Sequence, residues 1–345
     1  MALVNLNSSE LPIVLPRKEK KEMMSVHVDE KGCTWVKINS SSLSILQECG
    51  RKAKYSLIDG WTNQTESPAT IFGSAIHKAL EVYYTGTIDE RRLPKLEDLQ
   101  LIGHGHEPKN NGLIERAVKA FTEVAKPLVE LPESDKRSIQ NGVWILHEYF
   151  KTYIEDPYIA YADKDGPFLE RKFTYRFYSS SMLVIDLFGT IDFIFKNIKT
   201  GELLPGDHKT TSALNFNGAS YFDREKPNHQ YSAYSLATKM VFGLPIENFM
   251  VNVIEVKAKP KTPKAKGISF PRQITKRTQD DYNELYDTIL WEVKNHLRMR
   301  DEGIFPQGGV EACNRYSGCT YKVVCAAPNS MRENLLRNKF NNGVD

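Results

Sequence analysis

From residue 168 to 209 the hydrophobic pattern repeats every two residues through three successive segments, 168–177, 183–196 and 203–209. Such alternation suits strands, whose side chains point to opposite faces in turn, and it rules out an all-helical chain. The turn residues Lys199-Thr200-Gly201 join the last two segments into a hairpin. On either side the period returns to that of helices. The spacing predicts helices over 43–57, 71–84, 113–125, 133–154, 227–241 and 279–300, with the first preceded by the N-cap candidates Asn39-Ser40-Ser41-Ser42. Further strands are expected within 26–36, over 249–256 and near Ile268. The expected class is therefore α/β, a central mixed sheet flanked by helices.

The rest of the chain supplies boundaries. Residues 1–25 read as a loosely held arm with a basic run at Arg17, Lys18, Lys20 and Lys21. The stretch 91–111, rich in proline, glycine and charge, reads as a loop or insertion. The tail after Gly303 looks loop-like. One domain over 26–345 is expected: a helical insertion at about 91–155, a core at about 168–272, and a C-terminal helix and cysteine cap at about 279–345. At 345 residues the chain can bury a full core. Its N-terminus lacks the plan of a signal peptide and no apolar run spans a bilayer, so a cytoplasmic, membrane-free protein is expected.

Chemistry concentrates in the alternating region. Asp192 lies inside the second strand and Asp207 near the end of the third, two residues before Lys209. A hairpin sets both carboxylates on one sheet edge, and period two puts Asp207 and Lys209 on the same face. Close carboxylates resist joint ionisation unless a cation neutralises them, which invites Mg²⁺ or Mn²⁺. Lys209 could orient a metal-activated water or stabilise phosphoryl charge. An isolated D-x-K also fits an ordinary surface hairpin. Upstream, Gly73, His77 and Glu81 fall on one helical face, and downstream Gln230 and Tyr234 lie one turn apart.

The order GxxxH, G-x-x-D, D-x-K, QxxxY resembles the RecB-like branch of the PD-(D/E)XK nucleases, which includes recombination nucleases, phage exonucleases and CRISPR-associated adaptation nucleases. The resemblance runs from about Ser41 to Cys325. It implies a restriction-endonuclease-like core and metal-dependent hydrolysis of DNA, most simply at ends or on single strands, in recombination, repair or phage DNA metabolism. By that resemblance His77, Asp192 and Asp207 are metal ligands, joined by the backbone carbonyl of His208. Lys209 is then the catalytic lysine, Gln230 and Tyr234 place the strand, and Glu81 supports. A non-catalytic or partner-dependent DNA-binding subunit and an RNA nuclease are the alternatives.

Five cysteines are too few for a disulfide scaffold, and their odd number argues for ligation with one thiol left over. Cys49 lies early; Cys313, Cys319 and Cys325 lie late, with five residues between neighbours. Relatives in the branch bind a [4Fe–4S] cluster with one early and three late cysteines, and the resemblance implies the same here. The gap between Cys313 and Cys319 is longer than the common pattern, and structural Zn²⁺ is the rival occupant. Cys33 is the spare. Lys257, Lys259, Lys261, Lys264 and Lys266 crowd one segment that fits either a phosphate-tracking loop or a solvated one. No GxxxxGK[ST] loop is present, so no nucleotide cofactor is expected, and any helicase or recombination protein would be a separate partner.

Overall fold

Alternation along the central strands decides the layers. The computed structural model describes residues 23–88, 112–216, 219–224, 227–262, 267–315 and 318–342. Strands β1 (Met24–Val28), β2 (Thr34–Ile38), β4 (Tyr158–Ala160), β5 (Leu169–Ser179), β6 (Leu183–Asn197), β7 (Leu203–Thr211), β8 (Asn248–Glu255) and β9 (Arg272–Lys276) form one mixed sheet. A further strand, β3 (Trp61–Asn63), lies outside it. The main path runs β1-β2-β6-β7-β8-β9, with β4 and β5 also paired to β6. The β2–β6 and β7–β8 pairs are parallel and the others antiparallel. The parallel β7–β8 pair requires a crossover, which contains helix α6 (His229–Phe242).

Phe193 and Phe195 pack on one face with Met250 and Ile254, under helices α3 (Pro68–Thr85), α4 (Gly112–Ala125) and α5 (Ile139–Thr152). Ile194, Phe249, Val251 and Val253 pack on the other, against α1 (Ser40–Glu48), α6 and α7 (Gln279–Glu302). The sheet is thus sandwiched between two helical layers. Burying a side chain the size of Phe193 contributes roughly 2–3 kcal/mol, so it is the alternation that commits the chain to this sandwich. Caps fix the helix ends. Ser67 accepts from Thr70 N at the start of α3, whose first residue is Pro68, and Gly243 ends α6 in the left-handed region.

Several boundaries differ from the sequence expectation. The single strand sought within 26–36 is a hairpin, because Asp29 accepts from the backbone of Lys31 and Cys33 and folds the chain back. The helix expected over 43–57 breaks at Cys49, whose backbone is extended; α2 (Gly50–Ala53) and a π-helical turn (Lys54–Ile58) follow. The strand expected near Ile268 begins at Arg272. Ser269 and Pro271 accept bonds from Glu255 and Val253, but Pro271 has no N–H to return. The tail is not a loop. It holds α8 (Gly309–Asn314), α9 (Lys322–Ala326), α10 (Asn329–Lys339) and β10 (Phe340–Asn342), which pairs with β3. The basic run of the arm and the 91–111 insertion lie outside the described residues.

Candidate active site

Strand β6 carries the site because its neighbours change along it. β5 follows one edge over most of its length, so the opposite edge holds β2 beside residues 183–187 and β7 beside residues 193–196. Asp192 sits in the interval, where groups from both helical layers meet. Continuing the Phe193–Gly206 register puts it across from Asp207.

His77 projects from α3 toward Asp192, with Nδ1 at 3.3 Å from Oδ2. That approach depends on close packing: a Cβ on Gly73, one turn earlier, would lie 3.3 Å from Thr210 Oγ1 on β7. Asp192 Oδ2 also accepts the backbone N–H of His208 at 2.8 Å. Burial pushes the Asp192 carboxyl well above its ordinary range, the facing Asp207 and Glu170 add to this, and the His208 N–H opposes it. Asp207 is 1% exposed, and its Oδ2 meets Lys209 Nζ as an ion pair at 2.5 Å. Buried, mutually repelling carboxylates are what a divalent cation would neutralise, so the donor set fits one.

Helix α6 completes the site from the other layer. Lys209 Nζ donates to Gln230 Oε1 at 3.0 Å, and Gln230 Nε2 donates to Tyr234 OH at 2.9 Å. Asn228 caps α6 by accepting from Gln230 N and Tyr231 N, which sets the first turn that carries Gln230. Tyr234 packs on Phe173 over Gly189; a Cβ at Gly189 would fall 2.9 Å from the Phe173 ring and 3.2 Å from Tyr234. Only glycine lets that ring reach the strand.

His77, Asp192, Asp207, Lys209, Gln230 and Tyr234 therefore form one connected group. Glu81 does not join it through any described contact; it pairs with Lys78 at 2.8 Å. The His208 ring turns to the opposite face, where burial holds the imidazole well below its ordinary value. Glu170 was missed. Its Oε1 lies 3.9 Å from His77 Nδ1, and His77, Glu170 and Asp192 each offer a ligand atom within 4.8 Å of the others. Glu170 also has a left-handed backbone, φ 48°. Its place between the Leu169–Phe193 and Arg171–Ile191 pairs puts a like charge beside Asp192. That juxtaposition, visible once the register is known, is its signal.

At the other end, Cys49, Cys313, Cys319 and Cys325 line one shallow cavity with Lys52 and Tyr321. Among the described residues no three of these thiols lie within 4.8 Å of one another. Burial pushes the Cys319 and Cys325 thiols above their usual value. Cys33 is buried and separate. In the lysine segment, Lys257 Nζ donates to Gly267 O and the Lys259 N–H donates to Asn141 Oδ1. Lys261 is described; Lys264 and Lys266 lie outside the described residues.

A mixed sheet between helices, with paired acids and a lysine on adjoining strands, defines the nuclease class of phosphodiester hydrolases. The family model of the PD-(D/E)XK nuclease superfamily matches residues 37–326, and the chain belongs to that superfamily. Its members use divalent metal ions. A solved protein from Eubacterium rectale, described as a candidate exonuclease, is similar over 87% of this chain and 94% of its own at 13% identity; its TM-score of 0.38 marks a loose superposition. No curated protein matches the sequence. No described helix is long and apolar enough to cross a membrane.

Proposed function

We propose that this chain is a metal-dependent deoxyribonuclease of the RecB-like branch, an exonuclease acting on DNA ends or single strands in recombination, repair or phage DNA metabolism. The observation that carries the proposal is the unbroken contact path from His77 through Asp192 and Asp207 to Lys209, Gln230 and Tyr234. A binding subunit has no need to bury two facing acids beside a held lysine.

His77, Asp192 and Asp207 would hold Mg²⁺ or Mn²⁺, with the His208 carbonyl and Glu170 as further ligands. The carboxylates suit either ion, and the imidazole is the less usual donor for the harder Mg²⁺. The bound ion supplies Lewis-acid stabilisation of phosphoryl charge and a more acidic water. Lys209 aims its remaining N–H donors at the attacking water or a non-bridging phosphate oxygen. Gln230 fixes the amine by accepting from it, and Tyr234 fixes Gln230 in turn. Asp207 pairs with the same amine.

The four-cysteine cavity is proposed as the [4Fe–4S] site. Four zinc bonds of about 2.3 Å would draw the sulfurs to within roughly 3.8 Å of one another, closer than any three of the described thiols come. Residues 26–345 are proposed as one domain that the cluster staples end to end, and the lysine segment as a phosphate contact. Unpaired thiols suit a reducing, cytoplasmic setting, and a helicase or recombination protein would be a separate partner.

The test is cleavage of end-labelled single- and double-stranded DNA, beside matched RNA, by anaerobically purified protein with Mg²⁺, with Mn²⁺ and with EDTA. Metal-dependent products from wild type and none from Asp207→Ala are expected. DNA binding without cleavage on every substrate would leave the binding-subunit alternative; cleavage of RNA alone would make the chain a ribonuclease.

A further inference from the structure

Behind the site, on the face away from Lys209, three polar residues stand in one registered row across three strands. His208 on β7 is opposite Asn252 on β8, and Asn252 is opposite Arg272 on β9. Asn252 is 0% and His208 3% exposed. Around them the layer is aromatic: Tyr84, Tyr149, Phe193 and Phe195 close over the row.

The bonds in this row have only one consistent direction. A guanidinium carries donors and no acceptor. Arg272 Nε therefore donates to Asn252 Oδ1, 3.2 Å away, and this settles which end of the amide is oxygen. Asn252 Nδ2 then donates to Tyr149 OH and to His208 Nδ1, each at 2.8 Å. Nδ1 must accept, so the ring proton sits on Nε2. Tyr149 OH also accepts from Arg272 Nη2 at 3.1 Å and passes its own proton to Tyr84 OH at 2.8 Å. Asp156 faces Nη1 at 2.7 and 2.9 Å, and the guanidinium lies 3.6 Å from the centre of the Tyr153 ring.

A buried ion pair is a poor investment in stability, since apolar residues of equal volume often do as well. What this one delivers is a fixed orientation, and its far end is the residue between Asp207 and Lys209. The backbone N–H of His208 holds Asp192 Oδ2, and its ring meets the His77 ring edge-on at 5.8 Å. A ring that turned would move both.

We infer that Arg272, acting through Asn252, fixes the His208 ring and with it the Asp207-His208-Lys209 strand, so that Arg272 and Asn252 are positioning residues for phosphodiester hydrolysis. The kinetic part of this rests on the nuclease function proposed above; the ring orientation does not. Asn252→Asp is nearly isosteric but cannot donate to Nδ1. Arg272→Lys keeps the charge beside Asp156 but loses the fork. Tyr153→Phe keeps the ring against Arg272 and removes a hydroxyl bonded to Phe270 O, outside the row.

The experiment pairs long-range ¹H–¹⁵N spectra of the histidine rings in the full chain, with His208 assigned against His208→Gln, with steady-state cleavage. Wild type should show His208 protonated on Nε2, and Asn252→Asp should move the proton to Nδ1. Asn252→Asp and Arg272→Lys should each lose roughly tenfold or more in kcat, as expected for one charged hydrogen bond, with KM for DNA little changed. Tyr153→Phe should stay within about threefold, as a bond outside the row should matter less. A wild-type ring protonated on Nδ1, or folded variants with wild-type kcat, would overturn the inference. Should Asn252→Asp fail to fold, Arg272→Lys carries the comparison. Should wild type cleave nothing, the nuclease function fails and the spectra alone decide the relay.

Discussion

Lys209 and Gln230 are joined across two layers of the fold: the lysine amine at the end of β7 donates to the glutamine carbonyl on the first turn of α6, at 3.0 Å. Gln230→Leu removes a hydrogen bond to a charged amine, worth about 1.5–3 kcal/mol. The amine keeps its Asp207 contact but loses the anchor on α6. A fall in kcat of about 10- to 100-fold with unchanged DNA affinity is expected, read by single-turnover cleavage and by a binding titration in Ca²⁺.

Glu170 should act through the metal. Glu170→Gln keeps the shape and removes one charge from the His77–Glu170–Asp192 group. The metal concentration for half-maximal cleavage should rise by about tenfold, equal to roughly 1.4 kcal/mol, while the rate at saturating Mn²⁺ recovers. An unchanged metal titration would remove Glu170 from the site.

The raised Asp192 carboxyl gives a signed pH dependence. Between the unfolded carboxyl value, about 3.9, and the raised folded value, the folded state binds the extra proton. Metal-free stability contributed by this group is therefore present at low pH and lost as pH rises through the folded value. Asp192→Asn removes that loss. Urea melts in EDTA should show Asp192→Asn gaining on wild type from pH 5 to pH 8, and saturating Mg²⁺ should reverse the order at pH 8.

The cysteine cavity predicts a localised failure. Cys325→Ser should lose bound iron and visible absorbance, and lower the melting temperature by on the order of 5 °C, a few kcal/mol for a chain of this size. Proteolysis should then begin after Gly303 and leave the sheet intact. Zinc in place of iron in the wild-type protein would make the site structural zinc instead.

The lysine segment is tested by salt. Replacing Lys257, Lys259 and Lys261 with serine should weaken DNA binding and flatten its dependence on salt by up to about 0.9 per lost phosphate contact on duplex. An equal slope in both proteins would return the segment to the solvated-loop alternative.

What the sequence disclosed follows from the range of the interactions. The α3, α6 and α7 periodicities are set by residues within a turn or two, and D-x-K is carried by two residues on one strand, so these were readable. Glu170 was not, because its meaning depends on lying beside Asp192, a matter of register between strands. The break at Cys49 was hidden as well. Nothing in Gln47-Glu48-Cys49-Gly50 forbids a continuous helix, and the extended Cys49 backbone goes with contacts from Pro306 and Gly308, more than 250 residues away. The C-terminal helices escaped notice because they are short and mostly polar, with Tyr321, Val324, Leu336 and Phe340 buried in a small cluster with Tyr55, bordered by Trp61, Cys319, Cys325 and Leu335.

That last small core has a consequence for synthesis. β3 ends at Asn63, yet its partner β10 begins at Phe340, so Tyr55 and Trp61 leave the ribosome long before anything can cover them. At about 5–20 residues per second the wait is roughly 14–55 s. During that interval a bare strand edge and two aromatic rings are open to other nascent chains. The segment around Tyr55 and Trp61 thus waits for Tyr321 to Phe340 to close over it.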